Sequence, residues 1–241
     1  MNKSYWNDIE KEKKKPFFIE NTEDPKLMNF LQNESNLQKC FEDALQFATA
    51  FGYIRGRILE IGAGVAWTSA LLSKIPEVIE VNAIDFSEHR LLKIAPLVFT
   101  QFKGNASKFN PIVGDFLNID FDGCDKFDAV IFCQALYMFQ NIQDVLSKTH
   151  SLLRQEGMVL ITCERITPIF SQTSLNYWKK KIRTILFGRA DDSGNYHYTD
   201  NEYKKALQKA GFIYYYQNLS YPIYHGASIN AGNFFGIKGL K

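Results

Sequence analysis

The chain has 241 residues, 46% of them hydrophobic and 15% aromatic, with 28 Lys and Arg against 26 Asp and Glu and a formal net charge of +2. That length suits one main domain with an appendage, and the near-balanced charge excludes a global field of the kind that draws a protein to nucleic acid. Cys40, Cys124, Cys133 and Cys163 stand apart, without a CxxC pair or histidines at ligand spacing, so neither a zinc site nor a disulfide framework is expected. The N-terminal stretch lacks the apolar segment of a signal peptide, and no run reaches the roughly 20 apolar residues of a membrane span, so a soluble, cytoplasmic protein is expected.

Residues 1 to 35 are polar, Lys/Glu-rich and punctuated by Pro16 and Pro25. From Asn36 the spacing of Leu37, Phe41, Leu45, Ala48 and Phe51 predicts one apolar helical face, ended by Gly52 and Gly56. Strands are then predicted over Arg57–Ile61, Val81–Asp85, Pro111–Gly114, Phe127–Cys133 and Met158–Cys163, with helical patterns between them. A parallel neighbour is reached through a crossover, so this alternation specifies a doubly wound, mostly parallel α/β sheet. A polar and aromatic segment follows, residues 165 to 199, and then the helix TDNEYKKALQKAG, with Thr199 and Glu202 as a capping box and Gly211 as its stop. Two closing runs, FIYYYQNL and NFFGIKGL, are joined by a linker containing Pro222, which predicts an antiparallel pair at one sheet edge and a total of seven strands. The expected division is a helical N-terminal arm or cap over 1–56 and a domain over 57–241, with a helical substrate-side insert at about 165–200.

The turn after the first strand reads Glu60-Ile61-Gly62-Ala63-Gly64-Val65-Ala66-Trp67. In an open parallel sheet this turn is the usual ligand site. A nicotinamide fingerprint keeps its third glycine position small, and here it is Trp67; a P-loop needs a spacing and a lysine that are missing. Glycines let backbone approach a ligand, and Glu60 places a carboxylate where pyrophosphate is repelled and an ammonium group is held.

ExGxGx[GA] after a first strand resembles the motif of the class I S-adenosylmethionine-dependent methyltransferases. In that family the acidic residue and the glycines lie around the amino-acid part of the cofactor, which implies that role for Glu60, Gly62, Ala63 and Gly64. The resemblance continues in order. Asp85, ending VNAID, matches the acid that binds the ribose hydroxyls, with Phe86 against the adenine. GDF matches the adenine segment, with Asp115 on the amino group and Phe116 over the ring. FDAVIFCQALYMF matches the fourth strand and its loop, with Cys133 and Gln134 at the methionine end of the cofactor; LLRQEGMVLITCE matches the unit carrying the fifth strand. The bland alternative for Asp85 and Asp115 is that each caps the turn or helix that follows.

The cofactor brings the hard chemistry, so the protein must align a nucleophile and exclude water. A base for a hydroxyl acceptor would lie above the carboxyl ends of strands four and five or on the segments covering them. Tyr137, Glu164 and His197 satisfy that placement and are the candidate catalytic residues, with His225 in a second covering segment. Each has a plainer alternative, as a packing aromatic, a carboxylate paired with Arg165 or a surface histidine. CQALYM lacks the Asn/Asp-Pro-Pro-Tyr/Phe signature of many amino-methylating members, and no metal site is expected. The acceptor is expected to be a small molecule, with an oxygen nucleophile such as a sugar or other metabolite hydroxyl preferred. YWKKKIRTILFGR reads as an amphipathic helix with a basic face: first a solvated face, second a lid over an anionic substrate, third a nucleic-acid or membrane surface. KEKKK at 11–15 carries the same ranking. Two rivals stay open, a non-catalytic sensor or scaffold that binds the same nucleoside cofactor and a NAD(P)-dependent oxidoreductase.

Overall fold

A computed structural model describes residues 12–166, 198–219 and 231–239, with positions 182, 196 and 223. Seven strands form one sheet in the order β3-β2-β1-β4-β5-β7-β6. They are β1 Gly56–Ile61, β2 Val78–Asp85, β3 Phe109–Val113, β4 Phe127–Cys133, β5 Leu153–Arg165, β6 Phe212–Asn218 and β7 Ala231–Lys238. The pairs β1–β2, β1–β4, β2–β3 and β4–β5 are parallel, while β7 runs antiparallel to both β5 and β6. The expected antiparallel pair therefore sits at the edge as read, with β7 inserted inside β6. Strand order reverses between β1 and β4, and that switch point opens a crevice beyond the carboxyl ends.

The helices are α1 Lys26–Asn29, α2 Leu37–Ala50, α3 Trp67–Leu72, α4 Ala95–Gln101, α5 Ile142–Leu152 and α6 Asp200–Lys209. Of the apolar face read from Leu37, Phe41, Leu45, Ala48 and Phe51, Leu37, Phe41 and Ala48 are buried, Leu45 is half-buried and Phe51, past the helix end, is exposed; α2 packs with α3, α4 and the arm on one side of the sheet. Tyr203 and Leu207 of α6 join Val145 and Leu146 of α5 on the other. The capping box forms: Glu202 N–H donates to Thr199 Oγ1 at 3.2 Å, and Thr199 N–H donates to Glu202 Oε2 at 2.8 Å. One connection departs from expectation. Between β3 and β4 the residues from Gly114 to Lys126 hold turns and no helix. Asn118, Asp120, Asp122 and Gly123 favour that outcome, and Asp120 Oδ1 accepts the Asp122 N–H at 2.8 Å in such a turn.

The arm is less polar in space than in sequence. Phe18, Ile19, Leu27, Phe30 and Leu31 are buried in the same core as α2. The short apolar run Pro16-Phe17-Phe18-Ile19 is what anchors it.

No described helix is long and apolar enough to cross a membrane.

Candidate active site

The carboxyl ends of β1, β2 and β4 converge on a cavity of about 510 Å³. Its floor is the turn after β1. Gly62 and Gly64 have φ of +72° and +58°, and a Cβ at Gly62 would lie 2.6 Å from Ala135 Cβ, so the turns after β1 and β4 press together there. Ala66, at φ +60°, also takes the left-handed region and starts α3; Trp67 then lines the cavity and packs edge-on against Phe41 at 5.4 Å. A bulky residue thus fills the place a dinucleotide loop keeps small.

Of the residues expected around a cofactor, Gly62, Ala63, Gly64, Asp85, Phe86, Phe116, Cys133 and Gln134 line the cavity. Asp85 is anchored within it: Oδ2 accepts the Gly64 N–H and Oδ1 the Ser87 N–H, both at 2.8 Å. Burial pushes its carboxyl above the ordinary value, and the Arg90 guanidinium and those two amides pull it back. Each Asp85 oxygen carries a further lone pair for a ligand. The capping alternative and a ligand role are therefore compatible at this residue.

Two expected cofactor residues lie outside the lining. Glu60, almost fully buried, accepts the Thr68 and Ser69 hydroxyls and so ties β1 to α3; burial raises its carboxyl to about 7. Its side chain is not part of the cavity lining. Asp115 turns onto its own loop, where Oδ1 accepts the Leu117 N–H at 3.1 Å and Oδ2 accepts from Asn118 Nδ2 at 3.0 Å. Its neighbours Gly114 and Phe116 reach the cavity instead.

The three catalytic candidates separate. Tyr137 lines the cavity; its phenol is pushed up to about 12, chiefly by burial, against the pull of Arg165. The phenol therefore keeps its proton at neutral pH and is a donor rather than a base. Glu164 is turned away from the cavity. Its Oε1 accepts the Ala135 and Leu136 N–H groups at 2.9 and 2.8 Å, and Oε2 accepts from Tyr137 N and the Tyr203 hydroxyl, both at 3.3 Å. Desolvation raises this carboxyl to about 7, and the amides that surround it oppose the rise. The cause of its orientation is a bulge: register shifts between Ile161 and Glu164, Cys163 adopts φ +58°, and Asn233 Oδ1 accepts the Cys163 N–H at 3.0 Å. His197, His225 and the basic segment YWKKKIRTILFGR, apart from Ile182, lie outside the described residues.

Several residues of the site escape a reading of sequence alone. Glu12, in the charge run KEKKK, is buried and forms a two-pronged ion pair with Arg90, Nε to Oε2 at 2.6 Å and Nη2 to Oε1 at 2.8 Å. KEKKK is thus not wholly a solvated face. Arg90 also lies 4.5 Å from the Phe17 ring, and Lys15, Pro16 and Phe17 wall the cavity. Phe30, Leu31, Met138 and Phe139 give it an apolar side, and Arg165 stands over the Tyr137 ring at 5.4 Å. Lys148, on α5, donates to the carbonyls of Phe116, Leu117 and Ile119 at 2.8, 3.2 and 2.6 Å, which holds the turn that presents Phe116.

A glycine-floored cavity at the switch point of a β3-β2-β1-β4-β5-β7-β6 sheet, with an acid at the end of β2, defines a class I, Rossmann-like methyltransferase. A family model described as a methyltransferase domain matches residues 29–217, and the chain belongs to that family. No curated protein sequence matches it. Among solved structures it is similar to magnesium protoporphyrin IX methyltransferase from Synechocystis PCC 6803 with bound S-adenosylhomocysteine, at TM-score 0.65 and 15% identity, covering 98% of each chain. The BH2331 protein of Bacillus halodurans C-125 superposes at TM-score 0.59 and 16% identity over 83% of this chain and 99% of that one. The YcgJ protein of Bacillus subtilis does so at 0.57 and 15%, over 78% and 93%. The family's cofactor is S-adenosylmethionine, and the cavity suits it: exposed glycine backbone, a carboxylate with lone pairs to spare, and an apolar slot beside Phe116.

Proposed function

We propose that the chain transfers a methyl group from S-adenosylmethionine to an oxygen nucleophile of a small molecule. The observation that carries this reading is the single cavity in which the glycine turn and Asp85 meet Tyr137, Arg165 and the apolar arm. When bound, the cofactor supplies a methyl group on a positively charged sulfur. Gly62, Ala63 and Gly64 let main chain approach its amino-acid end, Asp85 takes the ribose hydroxyls, and Phe86 and Phe116 face the adenine. Cys133 and Gln134 flank the methionine end. Glu60, Asp115, Glu164 and Lys148 act as positioning residues, each fixing a loop that lines the site. The arm over residues 12–56 is a cap that excludes water, and Tyr137 donates a hydrogen bond to the acceptor.

The test is a pair of measurements. S-adenosylhomocysteine at a hundredfold excess over its dissociation constant is expected to stabilise the protein by about 2.7 kcal/mol, and NADH not at all. Radiolabelled methyl is then expected to pass from S-adenosylmethionine to members of a panel of hydroxyl- and carboxyl-bearing metabolites. Stabilisation by NADH alone would reject the reading, and cofactor binding with no transfer to any member of a broad panel would favour a sensor.

A further inference from the structure

We propose that Cys133 and Cys163 are an oxidisable thiol pair, which a hydroperoxide entering the cavity converts to a disulfide that deforms the glycine floor. Three cysteines from separate elements converge here: Cys40 of α2, Cys133 at the end of β4 and Cys163 of β5. The Cys163 thiol is within hydrogen-bond reach of both others. Thr162 Oγ1 lies 3.9 Å from Cys40 Sγ and 3.4 Å from Cys163 Sγ, and Cys163 Sγ donates to the Leu37 carbonyl at 3.8 Å. The β5 bulge is responsible. Alternation would send Thr162 and Cys163 to opposite faces, but with Cys163 at φ +58° both face α2.

Access sets the order of events. Cys40 and Cys163 are fully buried, whereas Cys133 is half-buried and lines the cavity. A buried cysteine by itself is a small hydrophobe; one that opens to a cavity with a second thiol behind it has its resolving partner in place. In the parallel β4–β5 pair, Cys133 is the partner of Thr162. Strands about 4.8 Å apart with a rise of about 3.3 Å put the Cα atoms of such diagonal residues about 6 Å apart, within the span of a disulfide. First, a peroxide oxygen passes to Cys133 Sγ: the S–O bond forms as O–O breaks, and the thiol proton leaves with the water or alcohol released. Cys163 Sγ then attacks that sulfur. The S–S bond forms as S–O breaks, and the hydroxyl leaves as water with the Cys163 proton. Two thiols are oxidised and one hydroperoxide is reduced. Burial holds the Cys163 thiol well above its ordinary value, so the second step is slow.

The consequence for the cavity follows from tethers. Gln134, at φ +54°, donates its N–H to the Thr162 carbonyl at 3.1 Å and its side-chain Nε2 to the Cys163 carbonyl at 3.3 Å. Ala135 then packs against Gly62, where no Cβ would fit. Drawing Cys133 onto Cys163 moves a turn that has no slack against the floor. The bond stands apart from the methyltransferase reading, while its effect on the cofactor rests on that reading.

The test uses the whole chain with Cys124→Ser, which removes the exposed thiol. The reduced protein is held in hydrogen peroxide for hours, with and without S-adenosylhomocysteine, then mapped as unreduced peptides by mass spectrometry and titrated with S-adenosylhomocysteine by calorimetry. A Cys133–Cys163 crosslink is expected, with affinity at least about tenfold weaker, recovery in dithiothreitol and slower crosslinking when the cavity is filled. Cys163→Ser is expected to give no crosslink and to leave a sulfenic acid on Cys133 that dimedone traps. Should that variant fail to fold, the peptide map of the parent protein decides. Intact thiols at Cys133 and Cys163, a Cys40–Cys163 bond in their place, or unchanged affinity in the crosslinked protein overturns the inference. Failure of the reduced protein to bind S-adenosylhomocysteine overturns the methyltransferase reading instead, and the crosslink alone then tests the pair.

Discussion

Glu12 and Arg90, 78 residues apart, close a buried ion pair that fastens the N-terminal arm to the segment after β2, directly beside Asp85 and the glycine turn. Removing one member of such a pair strands the other charge in a site built for two. Glu12→Gln is expected to lower stability by about 3 kcal/mol and to speed S-adenosylhomocysteine release. Urea unfolding and stopped-flow dissociation measure the two effects. A variant as stable as the wild type, with the same off-rate, would show that the arm is no cap.

Asp85 should matter to the cofactor more than to the fold. Asp85→Asn keeps one oxygen acceptor for the Gly64 or Ser87 amide but loses the charge offered to the ribose. A charge-assisted hydrogen bond contributes about 1.5–3 kcal/mol, so S-adenosylhomocysteine affinity is expected to fall by about ten- to a hundredfold. Titration calorimetry gives the answer, and unchanged affinity would remove Asp85 from the ribose.

Burial raises Glu60 and Glu164 from the ordinary 4.5 to about 7, so the folded chain holds both protons more tightly than the unfolded chain. Their contribution to stability is therefore full below pH ~4.5, declines as pH rises toward ~7 and is level above that. For each group the decline amounts to about 3 kcal/mol. Glu164→Gln stays neutral, and the drop in stability between pH 5 and pH 8 is expected to shrink by that amount. Denaturant titrations at the two pH values test it; an unchanged drop would mean that Glu164 titrates normally.

Lys148 reaches from α5 to three carbonyls of the turn bearing Phe116. Lys148→Met is expected to weaken S-adenosylhomocysteine about fivefold and to hasten amide exchange at residues 115–119, with the sheet amides unaffected. Exchange that spreads across the sheet would make Lys148 a general stabiliser instead.

Sequence periodicity disclosed the central strands because they are apolar runs with marked ends: Phe127–Cys133 is recovered to the residue, and Val81–Asp85 lacks only its first three positions. The glycine turn and Asp85 are legible for the same reason, since local spacing puts them at strand ends. Relations over long separations were not. Nothing in KEKKK marks Glu12 as the partner of Arg90, nor does α5 advertise Lys148 as a clasp. Glu164 was read at a strand end facing the site, but a one-residue bulge at Cys163 reversed its direction, which no alternation pattern reports. The sequence suggests a charged ligand for Glu60, whereas the hydroxyls of Thr68 and Ser69, in the first turn of α3, bond to it.

At the ends of β1, β2, β3 and β5 stand Glu60, Asp85, Asp115 and Glu164, and each carboxylate fastens chain of this same protein. Such a platform is indifferent to what is methylated. Divergence can rewrite the arm and the wall around Arg165 without loosening the loops beneath, so lineages could trade one acceptor for another while inheriting the same cofactor seat.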